Sequence, residues 1–287
     1  MIIVKFFSSF CSSENCSNIY SRLRLIENNI LNTYNDTIIF TNSDNYTHAV
    51  ILNTAMPKLT IPKENVLGLA FEPNYFLGLN KQFIDYAAKN IGKYYIGDNT
   101  GLTLPFIEHH GFMWYTPIPI QIENKNKIMS IIFSNKKSTF GHKYRHSLIN
   151  TILQTNLPID IYGIGCSGYN QRDNRIKGTF TENEPYDGYM FSIAIENLSL
   201  NSYISEKFIN CLMYETTPVY YGCKTLDQIE HFKDKYIRLN GDIGPDMLLI
   251  TDIIANPLKY KKNINRYEEA NSINLIEHLY TLFKKDE

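Results

Sequence analysis

The chain has no apolar run approaching the roughly 18–20 residues needed to cross a bilayer, so a transmembrane helix is not expected. It also lacks any excess of basic residues: 28 Lys and Arg stand against 29 Asp and Glu, a net charge of −1. A protein that held nucleic acid through overall charge would be basic, so that partner class is set aside, and only a local basic groove for a phosphorylated small molecule stays open. The five cysteines form no CxxC, and no His or Cys pair at zinc-site spacing follows Cys11 and Cys16. Free thiols in a reducing compartment are therefore expected. The opening Met1-Ile2-Ile3-Val4-Lys5-Phe6-Phe7 is too short and wrongly charged for a signal peptide and reads as a strand, which makes a soluble, cytoplasmic protein the expectation. The motifs GxxxxGK(S/T), GxSxG and HExxH are all missing. So is any D-x-D pair of the kind that chelates a divalent metal beside a nucleotide diphosphate. His109 and His110 are adjacent, would point different ways on a strand, and read as loop or interface residues.

What is present is globular: 44% hydrophobic and 20% charged residues in a chain of 287, enough for one large domain or two small ones. Tyrosine and phenylalanine are plentiful, at 21 and 16, and serve either a core or a surface that meets sugars or bases. Short runs rich in Ile, Val, Tyr and Phe alternate with stretches of helical period. Strands are expected at Met1–Phe7, Thr37–Thr41, His48–Leu52, Val66–Phe71 and Lys93–Ile96, with helices at Cys16–Leu31 and Asn80–Asn90. After a Pro-containing polar connection over Tyr115–Lys127, a second series begins. Its strands are Ile128–Ser134, Ile159–Gly163, Tyr189–Ile195, Pro218–Gly222 and Lys235–Leu239. Its helices are Gly141–Gln154, Ser202–Tyr214, Thr225–His231, Asp246–Ala255, Pro257–Ala270 and Ser272–Lys285. The pattern predicts an α/β protein of two Rossmann-like domains facing across a cleft. The boundaries fall at 1–123 for the first domain, 124–270 for the second, and 271–287 for a final helix.

Three strand ends carry chemistry-bearing residues. Tyr189–Ile195 leads into Glu196-Asn197, and Tyr203-Ile204-Ser205-Glu206-Lys207 opens the next helix, for which Ser202 is the expected N-cap. A helix N-terminus favours phosphate, a lysine there adds positive charge, and an acid can bind a ribose diol. A capped helix with a solvated Glu-Lys pair explains the same residues. Ser134-Asn135 followed by Gly141, His142, Lys143 and Arg145 repeats the strand–loop–helix arrangement with two cations, which are either phosphate ligands or solvated helix charges. In Phe71-Glu72-Pro73 a carboxylate ends an apolar strand. Partly desolvated, Glu72 would serve as a general base; otherwise it is a turn acid.

The run Tyr189–Asn197, Tyr203–Lys207, then Thr217-Pro218-Val219-Tyr220-Tyr221-Gly222 resembles, in order and spacing, the signature of glycosyltransferase family 10, the α1,3/4-fucosyltransferases. Ser134-Asn135 through Arg145 and Asp160-Ile161-Tyr162-Gly163 look like the preceding elements of its soluble bacterial and viral members, and Phe71-Glu72-Pro73 looks like the family's acidic motif. Leu198 and Ser205 depart from the usual Ser and Thr. The resemblance implies a GT-B fold, GDP-fucose as donor substrate with no cofactor or bound metal, a glycan acceptor, and inversion at the sugar carbon. It further implies that Glu206 holds the ribose and that Lys207 and Arg145 neutralise the diphosphate. Ser134, Asn135, Lys143, Glu196, Asn197, Tyr203 and Ser205 would complete the donor contacts, and Glu72 would be the base.

Overall fold

The β-branched and aromatic runs fold as two six-stranded sheets in which every pairing is parallel. The computed structural model describes residues 1–31, 38–110, 118–273, 279 and 282–283. The chain forms two units: unit 1 comprises Met1–Pro117, Asn201–Tyr203 and Asn271–Glu287, and unit 2 comprises Ile118–Leu200 and Ile204–Ala270.

Unit 1 runs β1 (Ile2–Ser8), α1 (Ser13–Leu31), β2 (Ile38–Thr41), β3 (His48–Leu52), β4 (Val66–Leu69), α2 (Asn74–Leu77), α3 (Lys81–Asn90), β5 (Lys93–Ile96) and β6 (Phe106–Glu108). The strand order is β2-β1-β3-β4-β5-β6, so the winding reverses between β1 and β3. One face of the sheet packs Val4, Phe6, Leu67 and Leu69 against Cys16 and Tyr20 of α1, together with Leu279 and Phe283. The other packs Ala49, Ile51 and Tyr94 against Phe83 and Ala87 of α3. Burial on both faces explains why these strands read as unbroken apolar runs. Asn80 caps α3, its side chain accepting from the Phe83 N–H at 2.9 Å.

Unit 2 runs β7 (Lys127–Ile132), α4 (Phe140–Leu153), β8 (Ile159–Tyr162), β9 (Ile176–Gly178), β10 (Tyr189–Ile195), α5 (Glu206–Met213), β11 (Thr217–Tyr221), β12 (Ile237–Arg238), α6 (Ile243–Ala255), α7 (Pro257–Tyr260) and α8 (Arg266–Ser272), the last crossing into the residues of unit 1. The order β12-β11-β10-β7-β8-β9 places the reversal between β7 and β10. Met129 and Ile131 of β7 and Phe191, Ile193 and Ile195 of β10 share a core with Leu148, Ile149 and Ile152 of α4 and Ile250 and Ile253 of α6. Each such side chain contributes about 1.5–3 kcal/mol by leaving water.

Several expectations are corrected. Strands β6 and β9, three residues each, were not foreseen, and the expected helix 225–231 is a 3-10 turn over Leu226–Gln228. The helix expected over 257–270 breaks in two, and within the break the Lys262 N–H donates to Thr217 Oγ1 at 3.0 Å. Cys11 and Cys16 form a disulfide instead of standing as free thiols. Ser12 caps α1, its hydroxyl accepting from the Asn15 N–H and its carbonyl from the Cys16 N–H, and this first turn carries Cys16 back toward Cys11. Cys166, Cys211 and Cys223 are thiols, as expected, and all three are buried. No described helix is long and apolar enough to cross a membrane. Tyr115–Pro117 of the expected connection, and most of the expected helix at 272–285, lie outside the described residues.

Candidate functional site

Ligands of open parallel sheets sit beyond the carboxyl ends of the strands, where the winding reverses. In unit 2 that point is the pair β7 and β10, and the polar segments singled out in the sequence follow these two strands: 133–141 into α4, and 196–206 into α5.

The first turn of α4 is pressed onto the end of β10. The Gly141 N–H donates to the Asn197 carbonyl at 3.1 Å, and a Cβ on Gly141 would lie 1.9 Å from the Glu196 carbonyl oxygen. Thr139 caps the helix in a box with His142, the residue three positions on. One turn further, Arg145 is 5% exposed and donates from Nη2 to the Ile195 carbonyl at 3.0 Å and to Asn197 Oδ1 at 2.8 Å. Its guanidinium is thus fixed at the reversal point by the strand end that follows it in the chain. Lys143 falls on the exposed side of the same helix, away from this cluster. In the loop between β7 and α4, Asn135 is exposed, and Ser134 is half-buried with its carbonyl accepting from His146 Nε2 at 3.0 Å.

Glu196 is wholly enclosed. Its carboxylate accepts from the Ser205 N–H at 2.7 Å, from Ser205 Oγ at 2.6 Å and from the Tyr220 hydroxyl at 3.3 Å, while Lys207 Nζ lies 3.8 Å away. Gly222 makes room for it, since a Cβ there would sit 2.4 Å from Glu196 Cγ. Glu196 and the equally buried Ser205 hold the start of α5 in place. Burial pushes the Glu196 carboxyl up, against the nearby Lys207 ammonium.

The N-cap of α5 is Ser205, not Ser202, and the helix begins at Glu206. Ser202 instead belongs to unit 1, where its N–H donates to the Gly97 carbonyl and its hydroxyl to Glu108 Oε1. Lys207 Nζ lies 2.8 Å from Glu206 Oε1. Desolvation alone would raise the Glu206 carboxyl, yet the adjacent Lys207 ammonium outweighs it and holds the group below its ordinary value. Desolvation would likewise lower Lys207, but Glu206 and Glu196 outweigh it and keep the ammonium charged.

One neighbour of this cluster was given no role in the sequence reading. His142 is 2% exposed, and burial, reinforced by the positive charges of Arg145, Lys136 and Lys207, pushes it down to about 4. A buried imidazole kept neutral by three cations reports a local field that favours an anion. No composition signal marked His142. Its place in a capping box, three residues after Thr139, was the available clue.

The structure therefore brings Arg145, Glu196, Asn197, Ser205, Glu206 and Lys207 together at one strand end. It does not bring Lys143 into that group, and Glu72 and Tyr203 belong to unit 1. Tyr203 is buried, its backbone close against Gly97. Glu72 follows the end of β4 and is exposed, which corrects the expected desolvation: Pro73 takes the chain out of the sheet and into α2.

The family model for the C-terminal part of glycosyltransferase family 10 (fucosyltransferase) matches residues 122–240. A fucosyltransferase-like protein of Arabidopsis thaliana is 26% identical over 153 residues, which are 52% of this chain and 28% of that relative, so the chain spans little more than a quarter of its length. The crystal structure of an α1,3-fucosyltransferase with GDP superimposes with a TM-score of 0.55 at 12% identity, covering 100% of this chain and 91% of that one. Anabaena Alr3699/HepE in complex with UDP-glucose also gives 0.55, at 10% identity, covering 98% and 97%. These likenesses are of fold, and the two Rossmann-like α/β units are those of the GT-B architecture. Residues 122–240 are thus the part of the chain that is similar to glycosyltransferase family 10.

Proposed function

We propose that the protein is an inverting, metal-independent glycosyltransferase that moves fucose from GDP-fucose to a hydroxyl of a glycan acceptor, with α1,3 linkage, in the cytoplasm. The observation that carries this reading is the cation cluster at the unit 2 reversal point, where Arg145 and Lys207 stand with Glu206 at the start of α5. In the reaction the acceptor oxygen bonds to the sugar C1 as the C1–O bond to GDP breaks, so negative charge grows on the departing diphosphate. Fixed cations in a partly dry site stabilise that charge without reorganising. Arg145 suits it because its fork is already oriented, and Lys207 because Glu206 holds its ammonium at 2.8 Å. Glu206 accepts from the ribose hydroxyls and Asn197 orients Arg145. Glu72, exposed beyond the end of β4, takes the acceptor proton.

A second reading keeps the fold and changes the donor, because a UDP-glucose complex shares this architecture and no residue named above reads the fucose methyl. A third, a module that binds without turnover, is disfavoured by the joint presence of Glu72, Arg145, Glu206 and Lys207. Calorimetric titration with GDP, GDP-fucose, GDP-mannose and UDP-glucose in EDTA separates the three. Metal-free binding of GDP and GDP-fucose supports the proposal, selective binding of another donor replaces the sugar, and silence from all four leaves the third. Turnover is then read as GDP release with lactose, N-acetyllactosamine or chitobiose as acceptor.

A further inference from the structure

We propose that Asn53 is a positioning residue for Glu72, setting the direction of its carboxylate through the N–H of Phe71; the inference rests on Glu72 being the base. Strand β3 ends at Leu52, paired with Leu69 of β4, and the Asn53 N–H adds one more bond, to the Leu69 carbonyl at 2.9 Å. At Asn53 the backbone turns left-handed, with φ of 54°, a conformation asparagine tolerates better than most residues. The main chain of β3 thereby leaves the sheet just before the position that would receive the Phe71 N–H. The Asn53 side chain takes over, Oδ1 accepting from the Phe71 N–H at 2.9 Å, and the side chain is buried.

Asn53 is itself held from below. Its carbonyl accepts from the buried Tyr94 hydroxyl at 2.8 Å. Tyr94 lies tight over Gly68 of β4, where a Cβ would fall 1.9 Å from the ring. On the other side of β4, the Ala70 N–H donates to the Tyr95 carbonyl at 2.9 Å. Both flanks of the departing chain are thus pinned through Phe71. Glu72 comes next and precedes Pro73, which confines Glu72 to extended backbone. With the residue before it clamped and the residue after it locked at φ of −60°, the Cα–Cβ bond of Glu72 has one direction.

Glycine fits the left-handed backbone better than asparagine does, so the side chain is present for the bond it makes. Asn53→Gly keeps the turn and removes that bond; Asn53→Asp keeps the acceptor. Full-length variants are compared by GDP release from GDP-fucose with the acceptors named above. Asn53→Gly is expected to lower kcat about tenfold or more, in line with the cost of a misplaced catalytic group, with GDP affinity and the KM for GDP-fucose unchanged. Asn53→Asp is expected to restore kcat, with the acid limb of its pH profile moved upward because a second carboxylate stands near Glu72. Wild-type kcat in Asn53→Gly alongside an inactive Glu72→Gln overturns this inference alone, as does a fall in kcat matched by a loss of GDP affinity. Full activity in Glu72→Gln overturns the base assignment and this inference with it.

Discussion

Replacing Gly141 by alanine adds one methyl group at the point where α4 meets the end of β10. The new Cβ would lie 1.9 Å from the Glu196 carbonyl oxygen and 2.8 Å from that of Asn197, both backbone atoms that cannot swing aside. Restoring an ordinary separation of about 3.4 Å requires the helix start to withdraw by about 1.5 Å. That movement breaks the Gly141 N–H bond to Asn197, 3.1 Å long, and draws Arg145 away from the Ile195 carbonyl and Asn197 Oδ1. Losing one neutral and two charge-assisted bonds costs about 3.5–7.5 kcal/mol, and alanine returns about 1 kcal/mol of helix propensity. A net loss of about 2.5–6.5 kcal/mol lowers the unfolding midpoint by roughly 5–25 °C in a unit of this size. Because Arg145 is displaced as well, GDP affinity should fall about ten- to a hundredfold, the range in which misplaced anion ligands are felt. Differential scanning calorimetry and GDP titration read the two effects separately. Lys143→Ala, on the exposed side of the same helix, is the control and should leave both near wild type. A Gly141→Ala protein with wild-type midpoint and affinity would refute both the packing argument and the placement of the site.

Lys207→Ala should weaken GDP binding about tenfold or more, and unchanged affinity in a titration would remove Lys207 from the diphosphate site. Glu72→Gln should abolish GDP release with acceptor present while leaving GDP-fucose affinity intact; full turnover would end its assignment as base. The depressed His142 imidazole gives a stability signature with a definite sign. Between its ordinary value of 6.5 and about 4 the unfolded chain binds the proton and the folded chain does not, so stability is lost as pH falls through that window. His142→Gln should flatten this part of the midpoint-against-pH curve, and a slope identical to wild type would show that His142 does not carry it.

Local pattern was legible where one face or one cap decides the structure. His48–Leu52, Lys93–Ile96 and Tyr189–Ile195 are strands with the expected ends, because their β-branched and aromatic runs are buried on both sides. The start of α5 was misjudged because Ser202 and Ser205 are equally good caps by composition, and partners distant in sequence, Gly97 and Glu108, decide which is used. The break between α7 and α8 carries a similar long-range bond, from Lys262 to Thr217 Oγ1. In the site, Arg145, Glu206 and Lys207 were readable as residue types at helix starts. The enclosure of Glu196 was not, since it depends on Tyr220 and on the missing side chain of Gly222, both from the next strand and its exit. Glu72 was legible as a strand-end carboxylate, but its exposure was not, because Pro73 decides how far the chain leaves the sheet.

Leu279 and Phe283 complete one face of the unit 1 sheet, with the Phe283 ring set edge-on to His48 at 4.6 Å. This gives the order of synthesis a physical consequence. Residues 118–270 contain all of unit 2, so its core can close as that stretch is made. Residues 1–117 must wait for Leu279, which is 279 − 117 = 162 residues later. At translation rates of about 5–20 residues per second, that is roughly 10–30 s with one face of the sheet covered by α1 but not yet completed. The half of the nascent chain made first is thus the last to mature, and the part most exposed to chaperones and proteases in the interval, which limited proteolysis of ribosome-arrested chains would report.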